Sequence, residues 1–338
     1  MRNSTILFAG TTFILSLLFA FDNKERINLD TSLAQTLFKL GEQKPSHYVE
    51  NVSPEMIFRG EEIIKFGKTQ GPNGHTTSYV SKYYKCTSCH NLQREDPDLS
   101  VVDQKARLDY AIANKIPYLQ GSTFWGMVNR ETWYNDDYVL KYGDLVREAE
   151  KSLEASIELC ATVCSQGRSL EDWEMESILA YLWSLEIKLS DLNLSDTELA
   201  QLEGKGSNKE KIELLKSKYL QKSPATFVDP PKDKQVGYNF EGDAELGKAI
   251  YDLGCQHCHR PNGESEVILD NTDLSLNWLK RHITDNSQKS IYEIIRKGTY
   301  SEYGHQEYMP HYTLEKMSDQ QLEHLRTYIE TPYMATAN

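Results

Sequence analysis

The spacing of apolar and polar positions reads as helical along the whole chain, with no strand alternation of any length. It opens on a charge-free, mostly apolar run from Ile6 to Phe21, preceded by Arg2 and stopped by Asp22, Asn23, Lys24 and Glu25. That run falls short of the roughly 20 residues of a spanning helix, so residues 1–21 are expected to be an export signal peptide or an N-terminal anchor. An entering helix is expected over Arg59 to Gly67 and a closing helix over Trp173 to Leu185, the latter carrying Ile178, Leu179, Tyr181 and Leu182. The same order returns later. Gly242 to Tyr251 enters, Ile291 to Gly298 intervenes and stops at its glycine, and Leu314 to Ile329 closes, with Ser318-Asp319 as helix start and Leu322, Leu325 and Ile329 at helical spacing. Between the two sets, Leu192 to Leu220 is polar and lysine-rich, and Pro224, Pro230 and Pro231 follow where no helix can continue. The expected fold is mainly α: a unit over residues 50–187, a polar, partly Pro-rich connector over 188–240, and a second unit over 241–332.

Composition sharpens this picture. The chain has 338 residues, room for about two domains, and a net charge of −13, which argues against nucleic acid as a partner. Its apolar share of 39% is low for an ordinary globular core, so a group other than side chains is expected to fill part of it. An exported, periplasmic chain faces oxidising conditions, where each of six cysteines needs an explanation.

Four of the six fall into two copies of C-x-x-C-H: Cys86-Thr-Ser-Cys89-His90 and Cys255-Gln-His-Cys258-His259. This is the attachment sequence of c-type haem. Two cysteines on one helical turn reach the two vinyl groups of a porphyrin edge as thioethers, and the adjacent histidine serves as proximal iron ligand. A zinc site or a thioredoxin-like dithiol are the bland alternatives, and neither has the expected surroundings here. Two covalent haems c are therefore expected. Around the second copy, Gly242 to Tyr251, Asn262-Gly263, Met309-Pro310 and the final helix together resemble class I cytochrome c. That resemblance implies that Met309 is the distal ligand of haem 2 and that the last helix crosses the first. His257, His282, His305, His311 and His324 are read as surface or pocket-rim residues.

Aligning Ala180-Tyr181-Leu182 with Thr327-Tyr328-Ile329 shows an internal repeat with one difference. Met309 stands 19 residues before Tyr328; the corresponding window before Tyr181 holds no methionine but contains Cys160 and Cys164. The N-terminal half further resembles the haem domain of dihaem thiosulfate dehydrogenases and of the dihaem subunit of the Sox sulfur-oxidising complex. The matching pieces are the long loop before Cys86, Phe124-Trp125-Gly126-Met127-Val128, a helix over Asp144 to Ile157, Cys160 with Gly167 after it, and Glu174 to Tyr181. The resemblance implies that Cys160 ligates haem 1 and marks a catalytic centre. The Arg-Ser pair that commonly follows this cysteine is replaced by Ala161, Thr162 and Val163, and Cys164 is additional. Cys164 as ligand, or a Cys160–Cys164 disulfide with Met127 or His75 on the iron, stay open.

Two irons suit a two-electron collector or a wire. Joining two thiosulfates into tetrathionate releases two electrons, so oxidation of this sulfur anion at haem 1 is one expectation. It requires local positive charge, for which Arg107, Arg130 and Arg168 are candidates, with Arg168 placed beside Cys160 in the catalytic set. The alternative is a non-catalytic electron-transfer cytochrome of a respiratory chain, exchanging with a soluble cytochrome or a membrane respiratory complex. A dihaem peroxidase is the least favoured reading.

Overall fold

A computed structural model describes residues 27–287, 289–300 and 308–331. The expected signal or anchor at 1–21, and His305, lie outside the described residues. Among the described residues no helix is long and apolar enough to cross a membrane. The secondary structure there is helical, with isolated bridges such as Thr299–Met309 in place of strands.

The N-terminal half contributes α1 (Leu33–Lys39), α2 (Pro54–Phe66), α3 (Gln104–Asn114), α4 (Asp137–Tyr142), α5 (Leu153–Leu159) and α6 (Asp172–Ser184). Helix α2 starts with Pro54 behind a Ser53 cap and ends at Gly67, whose φ of 74° suits glycine. The helix expected over 144–157 is instead interrupted. A 3₁₀ turn over Gly143–Val146 ends it on one side, and Ser152 caps α5 on the other. After α5 the chain winds into a wider π turn, Cys160–Cys164.

The connector is more structured than its polar composition suggests. It carries α7 (Asp196–Glu203) and α8 (Asn208–Lys216), each opened by a serine–glutamate capping box. Leu189, Leu192, Leu202, Leu215 and Tyr219 pack with Leu33 and Leu37 of α1 into a small core of their own. The C-terminal half holds α9 (Ala244–Ile250), α10 (Gln256–His259), α11 (Asp273–His282), α12 (Ile291–Lys297) and α13 (Asp319–Glu330). Ser318 caps α13 and forms a capping box with Gln321, where the sequence places the helix start.

The two halves repeat one packing device. Helix α2 crosses α6 and α9 crosses α13, each at a glycine. A Cβ at Gly60 would overlap the Ser177 carbonyl and press on Tyr181; at Gly247 it would overlap the His324 carbonyl and press on Tyr328. These are the tyrosines that the repeat alignment pairs.

The larger core of the second half recruits residues from the first. Leu108 and Ala111 of α3, with Ile116 and Tyr118, are buried together with Ile250, Tyr251, Leu322, Leu325 and Ile329. Burying each such aliphatic side chain is worth about 1.5–3 kcal/mol. A buried ion cluster closes the same seam. Glu95 meets Arg107 at 3.3 Å and Lys316 at 3.0 Å, and Arg107 also donates to the carbonyls of Leu119 (2.7 Å) and Lys316 (3.0 Å).

Candidate functional site

A largely apolar cavity of about 370 Å³ lies over the first C-x-x-C-H motif, within the size range of ligand pockets. Cys86, Cys89 and His90 form one part of its wall and Cys160 and Cys164 another, so the structure brings both groups into one chamber. Ile63, Ile64, Met127, Trp133, Ile178 and Leu182 line its apolar side. Ser223, Pro224 and Ala225 of the connector, and Tyr308, Pro310, His311 and Lys316 of the second half, complete the enclosure.

His90 is held from behind. Its Nδ1–H donates to the Ser122 carbonyl at 2.6 Å, and its ring stacks on Phe124 at 4.6 Å. A carbonyl can only accept, so Nδ1 carries the proton and Nε2 is left as a free lone pair, the tautomer that ligates iron. His259 repeats the arrangement, with Nδ1–H donating to the Val267 carbonyl at 2.7 Å. Burial pushes both imidazoles below their ordinary pKa and keeps them neutral. Burial likewise pushes Cys86 up to about 11 and Cys255 and Cys258 up to about 12, so these thiols are protonated and unlike the low-pKa dithiol of a redox C-x-x-C. All six cysteines are free. Among the described residues no three His, Cys, Asp or Glu side chains gather as ligands for a bare metal ion. Paired thiols, a pre-oriented histidine and an apolar chamber fit a covalently attached haem at the first motif.

In the second half, Met309 and Cys255 pack against the same core as Trp278 and Leu269. Met309 is fixed by a reciprocal pair with Thr299: its carbonyl accepts the Thr299 N–H at 2.9 Å, and its own N–H reaches back at 3.3 Å. Neighbouring residues serve opposite sides. Tyr308 and Pro310 line the first cavity, whereas Met309 between them joins the second core.

The two cysteines beyond the motifs contact each other across the π turn. The Cys160 thiol donates to Cys164, which raises Cys160; that donation, joined by the Tyr134 and Tyr308 hydroxyls, draws Cys164 down to about 7 against the effect of burial. Cys160 also feels Cys86 and Cys89. Of the substitute ligands, Met127 is buried in the cavity wall, and His75 is exposed at a loop tip away from it.

The three arginines separate. Arg107 is spent on the buried seam with Glu95. Arg168 does not line the cavity: its guanidinium grips both oxygens of buried Glu174 at 2.7 Å, whose carboxylate also accepts the Glu171 N–H in the capping box of α6. Arg130 does line it, near His90, with the Ser223 hydroxyl as a close partner. Lys316 faces the same chamber. Sequence reasoning passed over Lys316, Ser223 and the tyrosine-rich wall of Tyr134, Tyr138, Tyr142 and Tyr308. The abundance of tyrosine was the available signal.

The cytochrome c family model matches residues 244–332. This stretch is a cytochrome c domain, which implies covalently bound haem c and a role in electron transfer. No curated protein and no solved structure gives a significant match to the chain.

Proposed function

We propose that this is a periplasmic dihaem cytochrome c, two cytochrome c-like domains in tandem, passing electrons from haem 1 to haem 2 and on to a redox partner protein. The observation that carries the reading is the identical mounting of His90 and His259, each with Nδ1–H on a backbone carbonyl and Nε2 free beside its pair of cysteines. Cys86 and Cys89 would hold haem 1 and Cys255 and Cys258 haem 2, with Cys160 and Met309 as the sixth ligands. Bound haem supplies one-electron iron chemistry, tuned down in potential by a thiolate and up by a methionine, so electrons flow toward the second half. The mature protein is expected to carry two haem mass additions. One addition alone would leave only the matched domain as a haem carrier.

At the first cavity we propose oxidation of thiosulfate. Two thiosulfates form one sulfur–sulfur bond to give tetrathionate and release two electrons, one for each iron. The chain's part is to bind and orient the anions: Arg130 supplies positive charge, and the tyrosine hydroxyls supply donors. Arg168 acts from outside, holding the turn after Cys164 through Glu174. Purified protein should reduce an electron acceptor faster with thiosulfate than without it. Equal rates would leave the alternative, a respiratory electron-transfer cytochrome.

Three donors converge on Cys164, the Cys160 thiol and the Tyr134 and Tyr308 hydroxyls, and this favours a second assignment of the sulfur ligand. Electron paramagnetic resonance of the oxidised protein separates them: Cys160→Met should abolish a thiolate-type signal that Cys164→Ser retains. The reverse outcome would move the ligand to Cys164.

A further inference from the structure

The two haem-attachment motifs, 169 residues apart in sequence, touch directly. His257 Nε2 lies 3.0 Å from the carbonyl oxygen of Thr87, and Cys258 Sγ lies 3.6 Å from that of Ser88. Thr87 and Ser88 are the residues between the first pair of attachment cysteines, and His257 sits between the second pair. Cys89 is electrostatically close to Cys258 as well. A carbonyl only accepts, so the His257 ring must present Nε2–H to Thr87.

We infer that His257 is a positioning residue which locks the two attachment motifs edge to edge and thereby sets the rate of electron exchange between them. This rests on the dihaem reading above. Only one of the two contacts survives maturation as a hydrogen bond. Once Cys258 becomes a thioether its sulfur has no proton to donate, and its approach to Ser88 persists only as packing. The His257–Thr87 bond is unaffected by that chemistry and becomes the hydrogen bond joining the motifs at this contact. Two bonds at Tyr118 also tie the second half to the first: its N–H donates to the Leu253 carbonyl at 3.0 Å, and its carbonyl accepts from the Tyr312 hydroxyl at 2.9 Å.

The test compares the full-length protein with His257→Leu and His257→Gln. Mass spectrometry first counts haems in the wild type, which examines the dihaem reading by itself; fewer than two ends that reading and the inference with it. With two present, electron exchange between the irons is followed optically after flash reduction, together with spin coupling between them. Leucine, which fills the space without donating, should slow exchange severalfold and weaken the coupling, or fail to hold both haems. Glutamine, whose side-chain N–H reaches the same carbonyl, should restore both properties. Equal exchange in all three proteins overturns the inference, and so does slowing that glutamine does not restore.

Discussion

Glu95 shows how much one buried carboxylate can hold. Burial alone would raise its pKa, yet Lys316 and Arg107 overcome that and bring it down to about 2. Because this value lies below that of the unfolded chain, the stabilisation is complete above the ordinary carboxylate range and is lost as pH falls toward 2. Replacing Glu95 with Gln leaves Arg107 and Lys316 facing each other in a dry seam. The variant should lose about 3–5 kcal/mol at neutral pH, as buried pairs do when one partner is removed. It should also show a shallower acid limb, measured as denaturant midpoints between pH 2 and 7. Residues of this kind were not legible beforehand. Cys86, Cys89, His90, Cys255, Cys258 and His259 announce their chemistry by spacing alone. Glu95, Arg107 and Lys316 look like ordinary solvated charges, because no local pattern pairs them: Arg107 lies 12 residues from Glu95, beyond any helical spacing, and Lys316 lies 221 residues away. Arg168 illustrates the opposite error: its nearness in sequence to Cys160 suggested the cavity, while its charge is satisfied by Glu174.

Among the helices, legibility follows locality. α13 starts at Ser318 because a capping box is written in four consecutive residues, and α12 ends at Gly298, where φ is 68°. α3 left no comparable trace. It offers only Leu108 and Ala111 to a core built mainly by the other half, and its buried face includes Arg107, so its apolar stripe is narrow. The helix that the family resemblance implied over 144–157 is present only from Leu153, because the 3₁₀ turn through Val146 and the Ser152 cap interrupt it. The crossing glycines give the sharpest test at this level. Gly247→Ala gains about 1 kcal/mol in helix propensity, but its methyl meets the His324 backbone rather than a yielding side chain. The net effect should be destabilisation of about 1–3 kcal/mol, seen as a lower melting temperature and reduced haem retention. Gly60→Ala should behave alike against Ser177, whereas Gly206→Ala, near only the Glu210 carboxylate, should be close to neutral.

The halves are separable in sequence but not in space. The connector reads as a linker because it is polar, and in the fold it both builds a core with α1 and supplies Ser223, Pro224 and Ala225 to the first cavity. Helix α3, the Glu95 cluster and the paired motifs all cross the seam. Protease nicking in the exposed turn around residues 204–209 should therefore give two fragments that still elute together in gel filtration and part only in denaturant. Early separation would show that these contacts do not hold the halves together.

The cavity wall made by Tyr308, Pro310, His311 and Lys316 comes from a stretch of chain that follows both attachment motifs in the sequence. On the dihaem reading this imposes a sequence on biogenesis: the first cofactor has to be stapled while the chamber still lacks that wall, and the carboxy-terminal half then shuts it. A chain that completes its folding before delivery would offer its first iron a narrower way in.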